Sequence, residues 1–185
     1  AKALYEIMSA GAADAAKATE MLAIANKLAI GGVTEVSVAA DGLTSIMASY
    51  GTQLRSATQA ADAMFVSAAD GKTSIETIAR HIGKVAPIAS QTGVSLQELL
   101  AANAALTKAG IKTETAMEGV RAVLAQVAKP SGEAAILAKE LGIEFNIAGL
   151  KSKGFAGFLQ DMRDKTGGST ELLAALVGGV EALLP

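Results

Sequence analysis

Apolar residues recur along this chain at three- and four-residue steps, and the runs they make are cut by Gly or Pro at short intervals. That period is the signature of amphipathic helices. A first segment, Ala12 to Ile30, places Ala15, Ala18, Met21, Leu22, Ala25 and Leu28 on one face and stops at Gly31-Gly32. A second runs from about Thr34 to Tyr50, and a third from about Ser56 to Ala69, before Asp70-Gly71.

The next segments carry start signals as well. Thr73 with Glu76, Ser95 with Glu98 and Thr115 with Glu118 all have the spacing of a capping box. In that motif a hydroxyl and a carboxylate each take a free backbone N–H. Ile75, Ile78, Ala79 and Ile82 form a stripe, and Gly83 and Pro87 predict a break or kink after it, because proline has no N–H to give the preceding turn. Leu96, Leu99, Leu100 and Leu106 form one buried face, and Met117, Val120, Leu124 and Val127 form another. These eight are the expected core. Pro130 stops the second run, Ser131 opens the next helix, and Gly142 closes it.

Ile143, Phe145 and Ile147 alternate, which reads as a short extended connector from Ile143 to Ile147. Two last helices are expected at Phe155 to Asp164 and Thr170 to Leu184, parted by Gly167-Gly168. The fold class is all-α, a compact bundle of seven to nine short helices. One internal echo, Ala39-Ala40-Asp41-Gly42 and Ala68-Ala69-Asp70-Gly71, reads as chance in an Ala-rich chain rather than a repeat.

Composition sharpens this. Of 185 residues, 51% are hydrophobic but only 3% aromatic, so small aliphatic residues must do the burying. Charged residues are 18%, against a usual share of about 25%, and a surface this poor in charge suits a partner. The net charge of −2, with signs interspersed, argues against a nucleic-acid face. The absence of cysteine removes disulfides and thiolate metal sites. No uncharged apolar run reaches the roughly 18 residues of a spanning helix. The N-terminus lacks the layout of a signal peptide and begins in a mid-helix pattern, so the sequence reads as part of a longer chain.

Candidate chemistry is sparse. His81 is the single histidine, and no nucleophile or orienting carboxylate shares its helix face, so it reads as a half-exposed helix residue. Gly71-Lys72-Thr73 resembles the end of a phosphate loop, but Val66 stands where the first glycine belongs and a helix precedes it. Asn103 falls on the Leu99–Leu106 face, where a partly exposed or backbone-bonded side chain is the commoner state and a buried one fixing helix register the rarer. Asp161 and Asp164 are paired carboxylates, read as a solvated face beside Arg163 and Lys165. Phe155 and Phe158, set among glycines, read first as core and second as an interface for another subunit. No residue is assigned a catalytic, cofactor-binding or metal-ligating role, and the chain is not read as an enzyme.

One stretch reads GKTSIETIARHIGKVAPIASQTGVSLQELLAANAALTKAGIKTETA from Gly71 to Ala116, and another RAVLAQVAKPSGEAAILAKELGI from Arg121 to Ile143. Their order of VAPIA, GVSL, TKAGI and KPS resembles the core region of tailed-phage tail tape measure proteins. The closing GGSTELLAALVGGVEALLP resembles that family too. The resemblance covers residues 41–185 as a core domain, and residues 1–40, a preceding helical segment, match weakly. It implies a structural virion protein in the lumen of the tail tube, made in the host cytoplasm, acting in tail assembly, length determination and genome ejection. It implies a homo-oligomer, and contacts with tail tube protein, assembly chaperones and tail tip proteins. Nothing resembles the muralytic or peptidase domains some members carry. The competing class is a membrane-active helical module that forms or opens a conduit in the host envelope.

Overall fold

The structure is a computed structural model that describes residues 2–9, 15–51, 53–54 and 56–178. Those residues form ten helices and no strand. They are α1 (Lys2–Ser9), α2 (Ala15–Gly32), α3 (Val36–Tyr50), α4 (Ala57–Asp70), α5 (Ile75–Thr92), α6 (Leu96–Lys108), α7 (Thr113–Ala128), α8 (Gly132–Glu140), α9 (Ile147–Lys165) and α10 (Thr170–Val177). The count exceeds the expected range by α1, which precedes the first segment read as a helix, although Gly11 after it is a stop signal. Residues 12–14 of the expected first helix, and 179–184 of the last, lie outside the described residues.

α5 is the central post. It packs most extensively on α3 and α7 and buries Ile78, Ile82, Val85, Ala86 and Ala89 between them. Close approach to α3 depends on Gly42, where an added Cβ would lie 2.7 Å from the Ala79 Cβ. Gly71, its counterpart in the echoed tetrapeptide, instead caps the end of α4. The two copies thus do different jobs, and the echo is not a structural repeat. Outside the central layer, α1 and α2 cover α3, α4 lies on α6, and α10 lies on α8.

Three expected boundaries are corrected. α5 is not broken at Pro87 and runs on to Thr92. The ring faces solvent, while Val85, Ala86 and Ala89 are fully buried on either side of it. Packing on both sides thus holds the helix line through the lost hydrogen bond. The cap of α5 is Ser74, not Thr73: the Ser74 hydroxyl accepts from the Thr77 N–H at 3.1 Å, and Thr73 instead pairs with the Thr113 hydroxyl at 2.6 Å. α7 begins at Thr113 with no side-chain cap, so Thr115 lies inside its first turn. The Ser95–Glu98 capping box and the Ser131 cap form as their spacing predicts.

The connector after α8 is non-helical through residues 143–146 but turned rather than fully extended, since the Phe145 N–H donates to the Ile143 carbonyl and the Asn146 N–H to the Glu144 carbonyl, both at 2.9 Å; Ile147 opens α9. Ile143 and Phe145 are buried. Phe145 stacks on Phe158, with ring centroids 5.9 Å apart. α9 is two helices joined at a kink: Gly154 sits at φ 68°, ψ 167° and interrupts it just before Phe155. Of the expected core, Leu96, Leu99, Leu100, Met117, Val120, Leu124 and Val127 are at most 2% exposed. Leu106 is only partly buried, because the helices beside it stand apart and leave it on a groove wall.

Candidate functional site

An apolar groove of about 820 Å³ opens between α6, α7, α9 and α10. Leu106, Val123, Leu159, Met162, Leu173 and Val177 are among its walls. Its floor is α6, which presents the small side chains of Ala101, Ala102 and Ala105 between Glu98 and Leu106. Two charged residues touch the groove, Glu98 and Arg163. They differ in availability.

Glu98 is spent. One oxygen, Oε2, accepts from the Ser95 N–H at 3.0 Å and the Ser95 hydroxyl at 2.8 Å. The other, Oε1, accepts at 2.9 Å from the Phe155 N–H, the donor freed by the interruption at Gly154. One carboxylate therefore caps two helices 57 residues apart in sequence. Burial opposes its ionisation, but the hydrogen bonds from Phe155 and Ser95 outweigh it and hold the carboxyl below its usual range. Sequence reasoning found the local half of this role and missed the distant half, whose one signal was a glycine before Phe155. The same node holds Tyr50, whose buried hydroxyl donates to the Val94 carbonyl at 3.1 Å. Burial, and then the nearby Glu98 charge, push that phenol well above its ordinary value, so it stays a donor.

Arg163 is exposed and has no ion-pair partner among the described residues. The neighbouring Asp161 pairs with Lys153 and Lys165 instead. The hydrogen bond from Lys153, with the second from Lys165, holds its carboxyl below the usual range. Asp164 accepts from the Gln160 amide at 2.7 Å. The two acids thus serve α9 itself.

A second surface lies on the far side of α6. Ile30 and Val33 at the end of α2 are 80% and 89% exposed, and Phe65 and Val66 of α4 are 36% and 60% exposed. Phe65 lies over Gly31, where a Cβ would meet its ring at 2.6 Å, so the α2 and α4 residues form one patch. Val33 has φ 50°, a left-handed conformation that a β-branched residue rarely adopts.

The remaining candidates fall into structural roles. His81 is less exposed than expected, at 18% for its side chain, and its Nδ1 lies 4.0 Å from Glu114 with no hydrogen bond. Lys84 bridges Glu114 and Glu118 across α5 and α7. Lys72 follows a helix, and its N–H donates to the Thr107 hydroxyl at 3.2 Å. Asn103 takes the rarer state: it is 1% exposed, donates to Ser67 at 3.3 Å, and leaves Oδ1 without a partner. Phe155 and Phe158 are 2% and 0% exposed and pack into the chain's own core, the first of their two readings, which leaves little of either ring for another subunit. Gly154 and the Phe145 ring turn them inward. No group of three His, Asp or Glu able to hold a metal occurs among the described residues.

What remains is a helical body with several exposed apolar surfaces, the α2–α4 patch and the groove among them, with Leu4, Tyr5 and Met8 exposed on α1. Comparison with known sequences then decides its kind: residues 1–178 match the family described as phage-related minor tail protein. The chain belongs to that family. The tape measure protein of Pneumococcus phage Dp-1 is 30% identical over 111 residues, which is 60% of this chain and 10% of that protein. No solved structure matches the chain. The family and this relative agree with the resemblance read from VAPIA to KPS, and the family match extends it over the first 40 residues. A tape measure-related tail protein built of short helices is therefore the frame for both surfaces.

Proposed function

We propose that this chain is a folded structural segment of a phage tail tape measure protein, without catalytic activity of its own. The observation that carries the reading is the family match over residues 1–178, joined to a fold that spends its polar chemistry on caps and ion pairs. In this reading the segment lies in the lumen of the tail tube and acts in assembly, length determination and genome ejection. It works with copies of itself and with tube, tip and chaperone proteins.

The fold qualifies the ruler. A continuous helix spans about 1.5 Å per residue, whereas here ten helices fold back on one another. Deleting the segment from a phage that carries it is the test. Under this reading tails fail to assemble or fail to deliver DNA, and any tails that form are not shortened in proportion to the residues removed. Viable particles with proportionally shorter tails in electron micrographs would show that the segment is an extended ruler and that the folded state does not operate in the virion.

A second reading has one observation behind it. No single helix among the described residues is long and apolar enough to cross a membrane, but α2 and α3 together meet that test across a 119° bend. Opening of this pair would make a membrane-active module. Dye release from liposomes by the purified chain separates the two: steady leakage supports the conduit, and intact vesicles support the tail component alone.

A further inference from the structure

Two of the exposed apolar surfaces, a helix face and a groove, complement each other in charge. The first is a row of side chains along α4. On α4, Asp62, Phe65, Val66 and Ala69 are exposed at the spacing that aligns side chains along one helix face. Ile30 and Val33 widen this ridge. Asp62 stands at its edge with no ion-pair partner among the described residues. The second surface is concave and apolar, and the charge left unspent on it is that of Arg163.

A ridge and a groove of one chain cannot meet here. α6 turns Leu100, Asn103 and Thr107 toward α4, through the hydrogen bond from Ser67 to the Leu100 carbonyl and those of Asn103 and Thr107. Its opposite side, Ala101, Ala102 and Ala105, floors the groove. The two surfaces thus lie back to back across one helix.

We propose that copies of this chain associate head to tail, the α4–α2 ridge of one copy seated in the α6–α7–α9–α10 groove of the next, with Asp62 against Arg163. Helix-in-groove packing by an amphipathic face is a recurring recognition mode. The conformation of Val33 supports it. A β-branched side chain held left-handed is strained relative to Gly at such a helix end, and here it projects an apolar group into solvent. An interface explains what folding alone does not. Such a contact is heterologous: it closes as a ring if the rotation between copies permits, and otherwise grows as a filament. This rests on the proposed work with copies of itself and names the faces that meet; association that survives both face variants would sink the faces and leave that reading standing.

Sedimentation equilibrium tests it. The expected result is an average mass above the 18.5 kDa monomer that rises with concentration. Phe65→Ser with Val66→Glu spoils the ridge, and Leu159→Glu with Arg163→Glu spoils the groove. Each variant, checked for an unchanged helical spectrum, should weaken self-association at least about tenfold. A mixture of the two should form a heterodimer and stop there, because one intact ridge and one intact groove remain. Asp62→Arg combined with Arg163→Asp should regain association that either change alone removes. Val33→Gly should stabilise the fold yet weaken association. A mass fixed at the monomer value overturns the proposal. So does a mixture that fails to pair, or association that survives both face variants.

Discussion

α2 and α5 are both eighteen residues long, and both are rich in aliphatic side chains. α5 buries eight residues between α3 and α7 and continues through a proline. α2 buries four, Ala18, Ala25, Leu28 and Ala29, and leaves Ile30 exposed at its end. Apolar content therefore does not decide burial here. Periodicity does: the stripe of α5 meets two neighbours, whereas apolar groups are spread around α2 and exceed what one neighbouring layer can cover. The remainder appears as the α2–α4 ridge.

The comparison predicts its own largest contrast. Ile82→Ala in α5 should cost about 2–5 kcal/mol by denaturant unfolding, with Leu99→Ala and Leu124→Ala in the same range. Ile30→Ala in α2 should change stability by no more than about 0.5 kcal/mol. Equal losses at Ile82 and Ile30 would mean that α2 is as embedded as α5. Pro87→Ala sharpens the point from the other side. If packing alone carries α5 through the proline, restoring the N–H should stabilise the fold by about 1–3 kcal/mol. A lower melting temperature would show instead that the helix depends on the proline.

Glu98 tests the node that joins these layers. Glu98→Ala leaves the Ser95 and Phe155 N–H groups without their carboxylate and should cost about 1–2 kcal/mol. The carboxyl is held below its usual range in the fold, so the unfolded chain binds its proton more tightly. Its stabilisation is therefore complete above the ordinary glutamate value of about 4.3 and is lost as pH falls below it through the lower folded value. Glu98→Gln should flatten the acid limb of the stability curve in that window. A limb identical to that of the parent would remove Glu98 from the account. A smaller effect, and of opposite sign, is expected at Val33→Gly, a gain of about 1 kcal/mol from relieved backbone strain in a thermal melt.

Particular residues show where the sequence was legible. Ser95, Glu98 and Ser131 declared their helix starts because a cap is a local bargain between neighbours in the chain. Thr73 misled by one residue because its hydroxyl had a better partner, Thr113, forty positions away. Leu106 had the period of a core residue, yet it lines a groove because α9 and α10 stand off from it. Asn103 lay on an apolar face, but which of its two states it takes depends on Ser67 of another helix.

The sequence by itself determined the helical class, most helix boundaries and the family likeness, because caps, breakers and apolar periods act within a few residues of one another. Only the tertiary structure decided that α5 survives Pro87, that Glu98 caps a second helix, and that a ridge and a groove lie on opposite sides of α6. Each of those depends on which distant groups share a desolvated space, where the balance between a lost hydrogen bond, a gained partner and buried area is struck across the whole fold rather than along the chain.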